Sequence, residues 1–202
     1  YITQTQYNHF FSDILTSLSF LLHNHPETLF IQFNPLFFQC LHDVIIPLIP
    51  KSTYSLDSLS SRKFISCLCE NDQVLSILHE SPDFFKILVP QLVESLSLTK
   101  ISEQSLSLCH LIRYFGNPII ALALESNLIN QIHHIYSSYY DQTEDYPILF
   151  VLSILLRFSL NPKDNPDEFE QVILLRKDEI ITECFNPNFL KFIHIVVAGH
   201  IS

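Results

Sequence analysis

The sequence predicts an all-α fold, a helical-repeat solenoid of about four three-helix units. Three observations lead there. The 202 residues are 48% hydrophobic and include 17 Phe but only 2 Gly, too few for the frequent turns of a β-sandwich or barrel. Apolar residues recur at helical rather than alternating spacing through most of the chain. A helix-start signal returns at Asn34, Ser81, Ser126 and Asn186, at intervals of 47, 45 and 60 residues. Such a residue caps a helix because its side chain accepts a hydrogen bond from an otherwise unpaired amide, and a following Pro has no amide to leave unpaired.

In chain order, residues 7–22 place Phe11, Ile14, Leu15, Leu18 and Leu22 on one helical stripe, with Asp13, Ser17 and Asn24 outside it. Pro26 opens a short helix 27–33, and Asn34-Pro35 stops it and starts a longer apolar one reaching Ile49. A loop over 50–57 leads to a second unit with helices 56–69, 73–79 and 82–97. The third unit has helices 103–115, 119–125 and 127–140, with Gly116-Asn117-Pro118 at its first turn and Ser126 opening its last helix. The fourth begins with helix 147–159. An acidic insertion over 160–172 then lengthens the interval before a helix ending near Phe185, and Asn186-Pro187 opens a last helix 188–198. Alternatively, 166–175 is itself a helix and the fourth unit is irregular. Pro47 and Pro90 fall inside or at the end of long helices, where a missing amide bends the axis.

Units of this length and make-up, at about 5–50, 53–98, 101–141 and 146–202, resemble armadillo and HEAT repeats, and the resemblance covers nearly the whole chain. It implies an armadillo-like solenoid in which the third helix of each unit lines a concave groove and corresponding positions stand side by side. Five residues past the four caps are Gln39, Lys86, Gln131 and Lys191, and eight residues past them are His42, Val89, His134 and His194. The two positions differ by three and share a helix face. Gln39, His42, Lys86, Gln131, His134, Lys191 and His194 are therefore the candidate partner-binding residues, a row of donors and acceptors for an extended peptide. The plainer alternative is that every amphipathic helix has a wet side, which Gln, Lys and His simply occupy.

Charge narrows the partners. The formal net charge is −10, and residues 141–183 carry ten acidic groups against Arg157, Lys163, Arg176 and Lys177. No basic stripe for a phosphate backbone exists, so a nucleic-acid partner is not expected. Charged residues make up only 16%, below the roughly 25% of an average globular domain. Exposed apolar surface is expected as a result, covered by a partner, a second copy or flanking chain. The nine-residue apolar run 148–156 stops at Arg157 and is too short for a membrane span. Cys40, Cys67, Cys69, Cys109 and Cys184 form an odd set within apolar helical patterns. They are expected to serve as small hydrophobes in an intracellular, cytoplasmic protein. The chain starts without Met and ends on an uncapped apolar run, as a piece of a longer protein would.

No catalytic arrangement emerges. His23/His25 and His133/His134 lack the i, i+4 spacing of helical metal ligands, and Cys67-x-Cys69 with His79 lacks a second zinc-type pair. His9 and Asp13 are one turn apart, as an ordinary surface pair would be. Cys109 and His110 point to different helix faces, and Asp167 and Glu168 lie in a polar stretch that keeps both ionised. The expected protein is a non-enzymatic scaffold without metal or cofactor that binds a peptide or helix in its groove. The alternatives are a structural or homo-oligomerising segment, or a regulatory region of a larger complex.

Overall fold

The computed structural model describes residues 4–25, 39–49, 56–79, 82–96, 103–138, 146–161 and 163–191. Every regular element among them is helical. The chain is all-α, as the periodicity indicates. Helix α1 (Gln4–Asn24) is followed, after residues 26–38, by a π-helical turn Leu41–Ile45 and a 3₁₀ turn Ile46–Leu48. Then come α2 (Leu56–Cys69), α3 (Asp72–Leu78), α4 (Pro82–Ser95), α5 (Glu103–Phe115), α6 (Asn117–Glu125) and α7 (Leu128–Ser138). The last three are α8 (Tyr146–Leu160), α9 (Glu168–Leu175) and α10 (Lys177–Cys184), with a further helical stretch at 187–191. The expected helix 27–33, the Asn34 and Ser81 caps and residues beyond 191 lie outside the described residues.

Short polar signals at the helix starts explain most of the boundaries. Asn71 caps α3 by accepting from the Gln73 and Val74 amides at 3.0 and 3.2 Å, and its Nδ2 donates to the Leu22 carbonyl at the end of α1 (3.4 Å). Asn186 starts the 187–191 stretch as expected, accepting from the Asn188 amide at 2.9 Å. Gly116 precedes α6 at φ +72°, a left-handed conformation that favours glycine, and Pro118 occupies the first turn.

Two expectations change here. Ser126 does not open α7: it ends α6, its hydroxyl donating back to the Leu122 carbonyl at 2.7 Å. The turn belongs to Asn127, at φ +71°, whose carbonyl receives the Gln131 amide at 3.2 Å. Asn tolerates this conformation better than other residues with a β-carbon. The acidic stretch after residue 160 also contains a helix, α9, close to the alternative of a helix over 166–175. Asp167 and Glu170 form a reciprocal capping box at its start: the Glu170 amide donates to Asp167 Oδ1 at 2.8 Å and the Asp167 amide to Glu170 Oε2 at 3.2 Å.

Among the described residues the helices from α2 onward come in threes, α2–α4, α5–α7 and α8–α10, with α1 and the 3₁₀ turn before the first and third members of the first set. The first members touch in order, α1 on α2, α2 on α5 and α5 on α8. The third members do likewise, from the 3₁₀ turn to α4, α7 and α10, and the second members α6 and α9 lie together. Among the described elements, α10 is the one of the last set that meets α7. Between these rows runs one apolar core, from Leu15 and Leu22 of α1 through Phe64, Leu88, Leu111 and Ile132 to Leu155, Ile173 and Ile180. On α1, Phe11 and Leu18 pack against that core, whereas Ile14 is exposed. Helix α2 lies between α1 and α5, so even its polar residues Ser60, Ser61 and Ser66 are buried. Pro90 sits inside α4, and Pro47 lies within the 3₁₀ turn, where a tighter hydrogen-bond pattern suits the end of a helical run.

Two buried charges tie neighbouring triplets. Arg62 on α2 is only 2% exposed and donates through Nη1 to the Ile49 carbonyl at 3.3 Å. Burial works against its charge, and the Glu103 carboxylate at the start of α5 works for it. Glu170 is 4% exposed; its Oε1 receives Asn117 Nδ2 at 3.1 Å and Lys163 Nζ at 2.5 Å. The carboxylate therefore holds the start of α9 to the start of α6. Replacing Glu170 with Gln puts an amide donor among donors, and urea unfolding is expected to show a loss of about 1–3 kcal/mol. An unchanged midpoint would remove the tie. For Arg62→Leu the expected loss is about 3 kcal/mol, because the Ile49 carbonyl and Glu103 lose their counterpart in a dry setting.

Candidate functional site

The residues expected to form a polar row fall on several separate elements. Gln39 and His42 are exposed beside the 3₁₀ turn, Lys86 is exposed on α4, and on α7 His134 is exposed and Gln131 half-buried. Lys191 is exposed at the end of the helical stretch 187–191, and His194 lies outside the described residues. Val89, eight positions past Ser81, has no exposure and belongs to the core. With Asn127 as the turn residue, the position five further on is Ile132, which is 1% exposed. Counting from caps thus does not define one geometric line, because α7 starts one residue later than its sequence signal.

Several of these side chains have local partners. His42 Nδ1 and Asp43 Oδ1 are 2.5 Å apart, and this contact holds the Asp43 carboxyl below its ordinary value. Lys86 Nζ donates to Asp83 Oδ1 at 2.9 Å within the first turns of α4. One residue that the count from caps missed matters more. His133, beside His134, reaches across to α10, with its Nδ1 2.6 Å from Glu183 Oε1. It bridges α7 and α10. No periodic signal marks it, because the partners are 50 residues apart.

A second polar region lies at the other row. Between α1, α2 and α5 is a cleft of about 400 Å³ whose lining includes Ser12, Thr16, Ser60, Lys63, Ser66 and Glu103. A neighbouring cleft of about 350 Å³ contains His23, Glu70, Asn71 and Asp72, and the two share Cys67. Ser12 and Ser60 hydroxyls lie 2.7 Å apart across the α1–α2 boundary. The Oε2 atom of Glu103 is shielded from solvent without a hydrogen-bond partner.

Among the described residues, no group of three or more His, Cys, Asp or Glu side chains is placed to hold a metal ion. All five cysteines are free thiols. Cys69 and Cys184 are buried as small hydrophobes and Cys67 and Cys109 are half-buried, but Cys40 is exposed, contrary to the expectation from its apolar neighbours. Its helical turn presents Cys40 on the side away from buried Leu41 and Ile45. Burial, with the nearby Glu183 charge, pushes the Cys184 thiol up to about 11, and burial raises Cys69 and Cys67 as well.

No described helix is long and apolar enough to cross a membrane. Comparison with protein-family models, with curated proteins and with solved structures finds no significant match to this chain.

A raised thiol pKa leaves less thiolate near neutral pH, and the thiolate is the reacting form. Timed alkylation at about pH 8, read by peptide mass, is expected to modify Cys40 first and to reach Cys69 and Cys184 only on unfolding. Labelling of Cys69 at the rate of Cys40 would contradict the buried placement.

Proposed function

We propose that this chain is a non-catalytic interaction scaffold, an armadillo-like solenoid segment that binds an extended or helical protein segment along its third-position helices. One observation carries the reading: the 3₁₀ turn, α4, α7 and α10 touch in sequence order, and exposed polar side chains stand on α4 and α7 (Lys86, His134) and just before the 3₁₀ turn (Gln39, His42). A surface of regularly spaced helices suits a partner with repeating backbone groups, since each helix offers it a similar contact. The His133–Glu183 bridge fixes the spacing of the last two helices in that row. Five free thiols support an intracellular setting for the protein.

A second reading, self-association, draws on the exposed aromatic and aliphatic side chains Phe10 and Phe20 of α1 and Leu175 and Phe185 near the other end of the chain. It predicts a solution mass that rises with concentration. The scaffold reading predicts a concentration-independent mass and a captured partner.

The discriminating experiment is affinity capture from source-cell lysate with residues 1–202 and a His42→Ala, His134→Ala variant. Both positions are exposed, so stability is expected to stay within about ±0.5 kcal/mol. Capture is expected to fall severalfold. Equal recovery of the same partner by both proteins would remove the polar row as the binding surface.

A further inference from the structure

The row of first-position helices has two ends. Within it α2 stands between α1 and α5, and α5 between α2 and α8, so among the described elements α1 and α8 have a first-position neighbour on one side each. Both end helices expose large apolar side chains, Phe10 (64%) and Phe20 (65%) on α1 and Phe150 (41%) and Leu160 (53%) on α8. Residues at i, i+3, i+7 and i+10 of a helix lie along one stripe. That stripe is Phe10, Asp13, Ser17 and Phe20 on α1, and Phe150, Ser153, Arg157 and Leu160 on α8, and all eight residues are exposed. Each stripe has an apolar side chain at both ends, with one serine and one charge between them. The charges are opposite. Asp13 is the one carboxylate of α1, which has no Lys or Arg, and Arg157 is the one charged residue of α8. Neither makes an ion pair among the described residues. The serine protons are already committed: Ser17 Oγ donates to the Asp13 carbonyl at 2.8 Å and Ser153 Oγ to the Phe150 carbonyl at 2.7 Å.

We infer that the exposed stripe of α1 receives α8 of a second copy of this chain, which carries the first-position row from one copy to the next. Laid antiparallel, the stripes pair Phe10 with Leu160, Asp13 with Arg157, Ser17 with Ser153 and Phe20 with Phe150. Laid parallel, they pair Phe10 with Phe150 and Phe20 with Leu160 and leave Asp13 one turn from Arg157, within reach of its long side chain. The occupant is a second copy because the single anion of one end helix finds its match in the same pattern on the other. The contact joins two different patches, so each pair of copies leaves one α1 and one α8 open, and association continues unless a ring closes. A contact built on two large apolar side chains from each copy is small and belongs with transient interfaces. The inference rests on the self-association reading and names the surfaces that reading would use.

Sedimentation of the 202-residue chain over a wide concentration range tests it, at about pH 8, where the ordinary imidazole of His9 or His23 is neutral. The average mass is expected to rise with concentration. Asp13→Arg and Arg157→Asp each set like charges against one another at the contact, and each is expected to weaken association severalfold. The chain carrying both changes again has opposite charges on its two stripes, and it is expected to regain the wild-type association. A contact of α1 with α1 of another copy would not be restored that way, because the double variant keeps a like-charged pair there. Both positions are exposed, so the variants are expected to fold as the wild type does, which circular dichroism checks. A mass that rises equally in all variants leaves self-association standing at another surface and overturns the α1–α8 contact. A wild-type mass that stays constant throughout overturns the contact together with the reading it rests on.

Discussion

A buried guanidinium holds the middle of this molecule together. Arg62 sits in a region where α2 is covered on both sides, and its donors cannot turn to water. It meets the carbonyl that ends the first helical set, rides on the first helix of the second, and faces the acid that begins the first helix of the third. Apolar contacts alone would let α1, α2 and α5 slide along one another, since leucine against leucine has little directional preference. A charge that must find one carbonyl and one carboxylate admits few alternatives. Desolvation sets the cost of losing it, and that cost makes the arrangement specific to this register.

The same logic recurs at the far end of the chain. Glu170 closes its own helix cap and at the same time anchors that helix to Asn117 and Lys163. The acidic segment is therefore not simply a solvated flank. One of its carboxylates is an internal fastener, while Asp164, Asp167 and Glu168 remain exposed. Of the third-position helices, α4 and α7 carry exposed Lys86 and His134, on which the scaffold reading rests. The row of first-position helices is different in kind. There, hydroxyl-rich surfaces of α1 and α2 leave clefts instead of closing fully.

Much of the helical layout was legible in the chain itself. Apolar spacing located the helix at 103–115, and it located those near 7–22, 82–97 and 147–159 to within a few residues at each end. Asn186 was legible as a cap because its side chain acts only on residues directly after it. Helix α9 was readable in principle, from Asp167 followed three residues later by Glu170, but the charge of KDNPDEFEQ masks that pattern. Ser126 misled because a hydroxyl bonds equally well backward to its own helix, and only the backbone path through Asn127 shows that it does. The candidate row was legible as a set of exposed residues at Gln39, His42, Lys86 and His134. Its register was not, since a one-residue shift in α7 moves the counted position onto Ile132 in the core.

Sequence by itself determined that this chain is helical, where most helices begin, and which of their faces are apolar, because each depends on groups within a turn or two of one another. The tertiary structure alone decided which helix packs on which, α10 on α7 among them. It alone brought His133 to Glu183 and Asn117 to Glu170, and buried Arg62 beside an Ile49 carbonyl. These pairs join distant parts of the chain, and no local periodicity encodes them. They form when the apolar faces meet, and what remains polar at those meetings must find a partner or leave a cleft.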